Sequence, residues 1–206
     1  MWREPAALEM PGWDDACLRA GYGSTVSTRG VPVGPLPDDA DPVQYERLRR
    51  RVLWKLPMGL YVLGSRSGEV ANLMTLNWVM QVAVDPKLLA VSLERSALTH
   101  GLVRDGGCFC VSLVARDNKE VVRKFVKPAV HDPEARTLAG FSYRDARSGA
   151  PIPEFAIGFL DCTVRHSFEM GSHTLFVGEV IDAGFASGGE EAAVLRMEDT
   201  RMSYGG

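Results

Sequence analysis

The stretch that decides the fold runs from Asn72 to His100, "NLMTLNWVMQVAVDPKLLAVSLERSALTH". With the two residues before it, it opens on a long apolar strand pattern, "VANLMTLNWVMQVAV". That pattern stops at the turn signal "DPK" and resumes as the short strand "LLAVSLE". Thr75 and Asn77 lie two apart, so they share one face of the first strand, a polar face inside an apolar run. Buried polar side chains need partners, which protein or ligand can supply. The second strand ends in Ser92, Arg95, Ser96 and Thr99, just before the short helical segment "LTHGLVRDGG". Hydroxyls and a guanidinium at a helix start suit a phosphate, and they equally suit ordinary capping.

Working outward, most of the text after Pro57 reads as strands. "MGLYVLGS" ends at the hairpin turn "RSGE", and "CFCVSLV" alternates with Phe109, Val111 and Leu113 on one face. "FLDCTVRHSFEM" places Leu160, Cys162, Val164, His166 and Phe168 on one face. "HTLFVGEVIDAGF" is the last long strand, and "VLRM" adds a short one. A helix is expected in "DNKEVVRKFV", where Asp117 and Glu120 have capping-box spacing. Another is expected in "DPVQYERLRRRVLWKL", with Asp41 as N-cap, Pro42 first in the helix and a partial apolar stripe at Val43, Leu48, Val52 and Leu56. Its run Arg49 to Arg51 reads as a solvated face. No strand–helix alternation runs along the chain, so the pattern predicts a mainly β antiparallel barrel or sandwich.

The 206 residues suit one core. Residues 1–42 stand apart as an irregular, Gly- and Pro-rich arm before a domain over 43–206. Within that arm "GYGSTV" lacks the third glycine and the strand–helix setting of a dinucleotide fingerprint. A net charge of −3 argues against nucleic acid as a partner. No apolar run approaches the roughly 18 residues of a membrane span, and the start does not read as a signal peptide. Cys17, Cys108, Cys110 and Cys162 have no zinc spacing and read as reduced core thiols of a cytoplasmic protein, with no metal expected.

No hydrolase motif is present, and His100, His131, His166 and His173 are scattered. His131 reads as a loop residue and His166 as packed on a strand. His173, in "GSHTLFVGEV", sits where a turn becomes a strand. As a residue pattern it fits a turn residue in solvent, a core histidine, or a ring facing a bound molecule.

Taken together, Asn72–Val103, "CFCVSLVARDNKEVVRKF" and "GSHTLFVGEV" resemble the flavin reductase family of FMN-binding split barrels, over roughly residues 47–185 and in the family's order. The resemblance implies a six-stranded antiparallel Greek-key split barrel, a homodimer, and a flavin site near the subunit interface. It implies that Met74, Thr75, Leu76 and Asn77 meet the isoalloxazine edge. Ser92, Arg95, Ser96 and Thr99 would meet the ribityl chain and phosphate, Phe125 would stand near the flavin, and His173 would approach the nicotinamide. Trp78 and Ser112 depart from the family's pattern, the first by its bulk and the second by standing where Asn is common. The activity implied is hydride transfer from NADH or NADPH to FMN or FAD, with reduced flavin diffusing to a partner monooxygenase. The protein's part in such chemistry is binding, orientation and electrostatics, so the missing acid–base motif is no obstacle. An FMN-binding electron carrier, a deazaflavin-dependent reductase and a non-catalytic binding module are the rival readings.

Overall fold

The computed structural model describes residues 35–202. Most of the expected arm, residues 1–34, and Cys17 with it lie outside the described residues. Backbone contacts divide the chain into two compact units, Met1–Glu46 and Arg47–Gly206. In the first, Asp41 Oδ1 accepts the Gln44 N–H at 2.8 Å, which caps helix α1 (Pro42–Leu53) as its sequence predicts.

The second unit is built on a seven-stranded antiparallel sheet. Its strands are β1 (Tyr61–Ser67), β2 (Val70–Leu76), β3 (Val79–Ala83), β4 (Leu88–Glu94), β5 (Cys108–Leu113), and the long pair β10 (Gly158–Met170) and β11 (His173–Phe185). Their order is β2-β1-β5-β10-β11-β4-β3. The two edge strands, β2 and β3, are therefore consecutive in the chain, with Asn77 and Trp78 alone between them. Two residues span at most a few residue lengths of roughly 3.3–3.6 Å each, so the sheet must roll until its edges meet. It is a barrel closed by a covalent step instead of a ladder, and the step is the split.

This corrects the six-strand expectation. The run Val70–Val84 reads as one strand, yet it changes from one edge of the sheet to the other at Asn77, and one strand becomes two. A second small sheet joins β6 (His131–Asp132), β7 (Thr137–Leu138), β8 (Phe141–Asp145) and β9 (Pro151–Pro153). Helix α2 (Leu98–Gly106) follows β4 and ends on left-handed Gly107.

Three further expectations change. "DNKEVVRKFV" forms two 3-10 turns, Arg116–Asn118 and Val121–Phe125, with no side-chain cap from Ala115 or Glu120. Side chains three apart eclipse in that geometry, and Val122 and Phe125 both go into the core. The simple alternation of β10 is broken by register shifts at Asp161/Cys162 and Val164/His166. His166 lies on the strand but exposed, as is every residue from Arg165 to Met170, and it stacks on Phe168. "VLRM" supplies isolated bridges, Ala115 to Val194 and Gly59 to Arg196, instead of a strand.

Alternation along β5 divides two cores. Phe109 and Val111 fill the barrel with Leu63, Leu93 and Phe176, while Cys108 and Cys110 face Ala150 and Ile152 of the small-sheet region. Large apolar side chains buried this way each contribute about 1.5–3 kcal/mol. Gly64 on β1 lets the two layers meet, because a Cβ there would lie 2.1 Å from the Pro151 carbonyl oxygen.

Burial pushes all three described thiols up, Cys162 to about 12 and Cys110 further still. Thiolate is the reactive form, so these cysteines are inert in the folded protein. Mapping of alkylated peptides is expected to show Cys108, Cys110 and Cys162 unmodified in native protein and modified only in denaturant. Modification of the native protein at any of the three would contradict the packing.

Candidate functional site

Among the described residues three buried side-chain atoms lack a hydrogen-bond partner: Ser112 Oγ on β5 and, at the split, Asn77 Oδ1 and His173 Nε2. Asn77 is 2% exposed and donates its Nδ2 to the Met58 sulfur at 3.5 Å, a weak bond, while its Oδ1 is buried without a partner. Across Trp78, His173 has the same defect. Its Nδ1 pairs with Ser172 Oγ at 2.8 Å, and its Nε2 is buried without a partner. Each orphaned group costs about 1–3 kcal/mol relative to a satisfied one. The ring of Trp78 packs on the imidazole at 4.8 Å between centroids, inclined at 62°. Burial lowers the pKa of His173, and Glu94, opposite it in the β4–β11 register, draws it back up.

Beside the split lies a cavity of about 340 Å³, lined by Met74, Thr75, Leu76 and Asn77 from the β2 end, Glu94 and Ala97 from the β4–α2 turn, and Val126, Met197 and Met202. Its volume is within the roughly 300–1,000 Å³ of small-molecule sites. It is continuous in lining with a larger one of about 810 Å³ that shares Met197 and Met202. The Thr75 hydroxyl is engaged with the Val122 carbonyl. Ala97 precedes α2 without a side-chain cap, so the helix presents its first turn uncapped by any side chain at the cavity wall.

The residues singled out in the sequence thus part company. Met74, Thr75, Leu76 and Asn77 come together on one cavity, and His173 stands one residue away, against Trp78. Ser96 and Arg95 are exposed in the adjoining turn, Arg95 paired with Glu169 at 3.3 Å and tied by its N–H to the Ser172 carbonyl. Ser92 sits half-buried on β4, its N–H given to the Trp78 carbonyl. Thr99 and Phe125 lie elsewhere. Thr99 is buried and accepts Asn72 Nδ2 at 2.8 Å, and Phe125 is buried among Phe141 and Phe155. The neighbour of Phe125, Val126, is the one on the cavity. His100 and His131 are structural, bonded to Thr174 and to the Tyr143 hydroxyl. Among the described residues no cluster of metal-ligating side chains occurs, and no helix is long and apolar enough to cross a membrane.

A barrel rolled shut across two residues, with a cavity and unsatisfied polar atoms at the seam, defines a ligand-binding split barrel. The flavin reductase like domain matches residues 53–204, and the chain belongs to that family. It is 28% identical over 142 residues to the high molecular weight rubredoxin of Moorella thermoacetica, covering 68% of this chain and 61% of that protein, so it spans under two thirds of that relative's length. Its fold is similar to the NADH:FAD oxidoreductase SgcE6 of Streptomyces globisporus C-1027, at 25% identity and TM-score 0.63, covering 80% of this chain and 89% of that one. It is likewise similar to the styrene monooxygenase flavin reductase of Pseudomonas putida S12, at 29% identity and TM-score 0.57, covering 67% and 87%.

The chemistry of the seam fits a flavin. An isoalloxazine offers a ring N–H flanked by carbonyls, and a buried, unpartnered amide oxygen such as Asn77 Oδ1 suits that donor. The apolar remainder of the cavity, Met74, Leu76, Val126 and the methionines, suits a flat ring.

Proposed function

We propose that the protein is an NAD(P)H-dependent flavin reductase acting on FMN or FAD. The observation that carries this reading is the pair of buried, unpartnered atoms, Asn77 Oδ1 and His173 Nε2, on the two sides of Trp78 at the split of a flavin reductase like barrel. Bound flavin would supply the hydride-accepting chemistry. Asn77, Thr75 and Met74 hold one edge of the ring and keep water from it. His173 holds a hydrogen-bonding nitrogen beside them for the nicotinamide. The Streptomyces oxidoreductase, whose structure is also known with NAD and FAD fragments, supports the pairing of these two ligands. Holding two rings in contact can supply up to about 7–11 kcal/mol of the barrier without any protein acid or base.

Arg95 and Ser96, at the turn before α2, are where a flavin phosphate would lie. Arg95→Ala is expected to weaken FMN about fivefold and riboflavin, which has no phosphate, hardly at all, because the Glu169 pair leaves this exposed guanidinium only a surface-strength interaction. Equal losses for both flavins would assign Arg95 to the hairpin alone.

Reduced flavin released from this site would serve a monooxygenase partner by diffusion, as the name of the Pseudomonas reductase suggests for that protein. A second copy of the chain would cover the exposed apolar residues Met80 and Val82 of β3 and Val84 in the turn after it, 64%, 43% and 74% exposed. Light scattering should then give about twice 22.5 kDa. The reduced thiols support a cytoplasmic location.

The test is direct. NADH and NADPH oxidation is followed with FMN, FAD and riboflavin in turn, beside a flavin titration. Micromolar or tighter binding, about −8 kcal/mol, with nucleotide oxidation supports the reading. Binding without oxidation makes the protein an electron carrier, and no binding at tens of micromolar, roughly tenfold above that affinity, makes it a module without flavin.

A further inference from the structure

Trp78 has no part in the flavin cavity, yet it stands at the one covalent link across the split and lies against the imidazole of His173. Its carbonyl is held by the Ser92 N–H at 3.1 Å, so its backbone is fixed to β4 while β3 beyond it runs as an exposed edge. The imidazole is held from three sides: Trp78 against its ring, Ser172 on Nδ1, and Glu94 facing it from β4. The next charges along are the Arg95–Glu169 pair on the hairpin. Nε2 itself is buried and, among the described residues, has no hydrogen-bond partner.

We propose that Trp78 is the positioning residue of His173. Its indole sets the tilt of the imidazole and keeps Nε2 dry, reserving that nitrogen for the primary carboxamide of a nicotinamide. The chemistry of the pair supports this choice of ligand. The Ser172 hydroxyl can give or take the Nδ1 proton, so Nε2 is an acceptor in one tautomer and a donor in the other. A primary carboxamide carries both an NH₂ and a C=O and pairs with either. A carbonyl or an ammonium alone pairs with only one. The ligand half of this inference rests on the flavin reductase reading, and the packing half does not.

Two measurements separate them. In flavin-free protein, the His173 ring is titrated by NMR, its resonance identified by its loss in His173→Gln. Trp78→Ala is expected to raise the midpoint toward the ordinary histidine value, because water reaches Nε2. With flavin and NADH, the same variant is expected to raise KM for NADH about tenfold while kcat changes less than about threefold. Trp78→Phe, which restores an aromatic edge, should hold both quantities near wild type. If Trp78→Ala yields no folded protein, Trp78→Leu replaces it, with the same direction and a KM rise of about fivefold. An unchanged midpoint and KM in the Ala or Leu variant overturns the proposal, and so does a Phe variant that falls as far as Ala. Failure of the wild type to oxidise NADH or NADPH with any flavin sinks the activity and the carboxamide, while the His173 midpoint in the variants still decides the packing.

Discussion

Asn77→Ala is expected to weaken FMN, FAD and riboflavin alike, each by about thirtyfold, with little loss of stability. The argument starts from the unpartnered Oδ1. In the folded protein this oxygen is buried with nothing to bond, so it already bears its desolvation cost. A ligand N–H that reaches it recovers that cost on binding, about 2 kcal/mol, which is roughly thirtyfold in affinity. The substitution removes the acceptor and so removes the gain. It also removes the orphan, and the bond given up to the Met58 sulfur at 3.5 Å is weak, so the fold loses about 0.5 kcal/mol or less. The three flavins share the ring and differ beyond it, so equal losses locate the contact on the ring and separate Asn77 from Arg95, whose removal should discriminate by phosphate. Fluorescence titrations with the three flavins, beside urea denaturation, make the check. Unchanged affinities would mean that Asn77 does not touch the flavin, and a large fall in stability would mean that it holds the split together.

What the residues announced in advance follows from how locally each feature is determined. The β10–β11 hairpin is legible because two alternating apolar runs flank Gly171 and Ser172, and Gly171 takes the left-handed conformation that a tight turn needs. The N-cap of α1 is legible for the same reason, since Asp41 and Gln44 settle it within one turn. The strand break at Asn77 is not local. Nothing between Val70 and Val84 is a Gly or Pro, and the chain changes edge there only because the whole sheet closes on itself. Half of the candidate site was open to reading from Met74 to Asn77, because those residues are contiguous and carry an odd polar pair. The other half was hidden. Met58, Val126, Met197 and Met202 reach the seam from three remote segments, and an apolar residue on a cavity looks in sequence like any core residue. Phe125 shows the reverse case. It carries the aromatic signal, but its 3-10 turn points it into the core and leaves Val126 outward.

His173→Ala is expected to lower turnover with NADH tenfold or more, about 1.4 kcal/mol of transition-state stabilisation, while flavin affinity stays within about twofold. The two effects separate because His173 is not among the residues that line the cavity of Asn77. Its pH behaviour follows from its burial. Loss of solvent lowers its pKa below the ordinary value of 6.5, with Glu94 opposing, so the ring is neutral at pH 7. Hydride loss leaves a positive charge on the nicotinamide ring, and an imidazolium beside it would raise the barrier. kcat/KM for NADH should therefore be level through neutrality and fall as pH drops through the lowered midpoint. In His173→Ala that acid limb should vanish, leaving a lower and flatter profile in which acid pH no longer separates the variant from wild type so widely. An acid limb that persists in the variant would assign the titration to another group. Unchanged turnover in a folded variant would return His173 to the role of a turn residue. A collapse of flavin binding ahead of turnover would place it on the flavin instead of the nicotinamide.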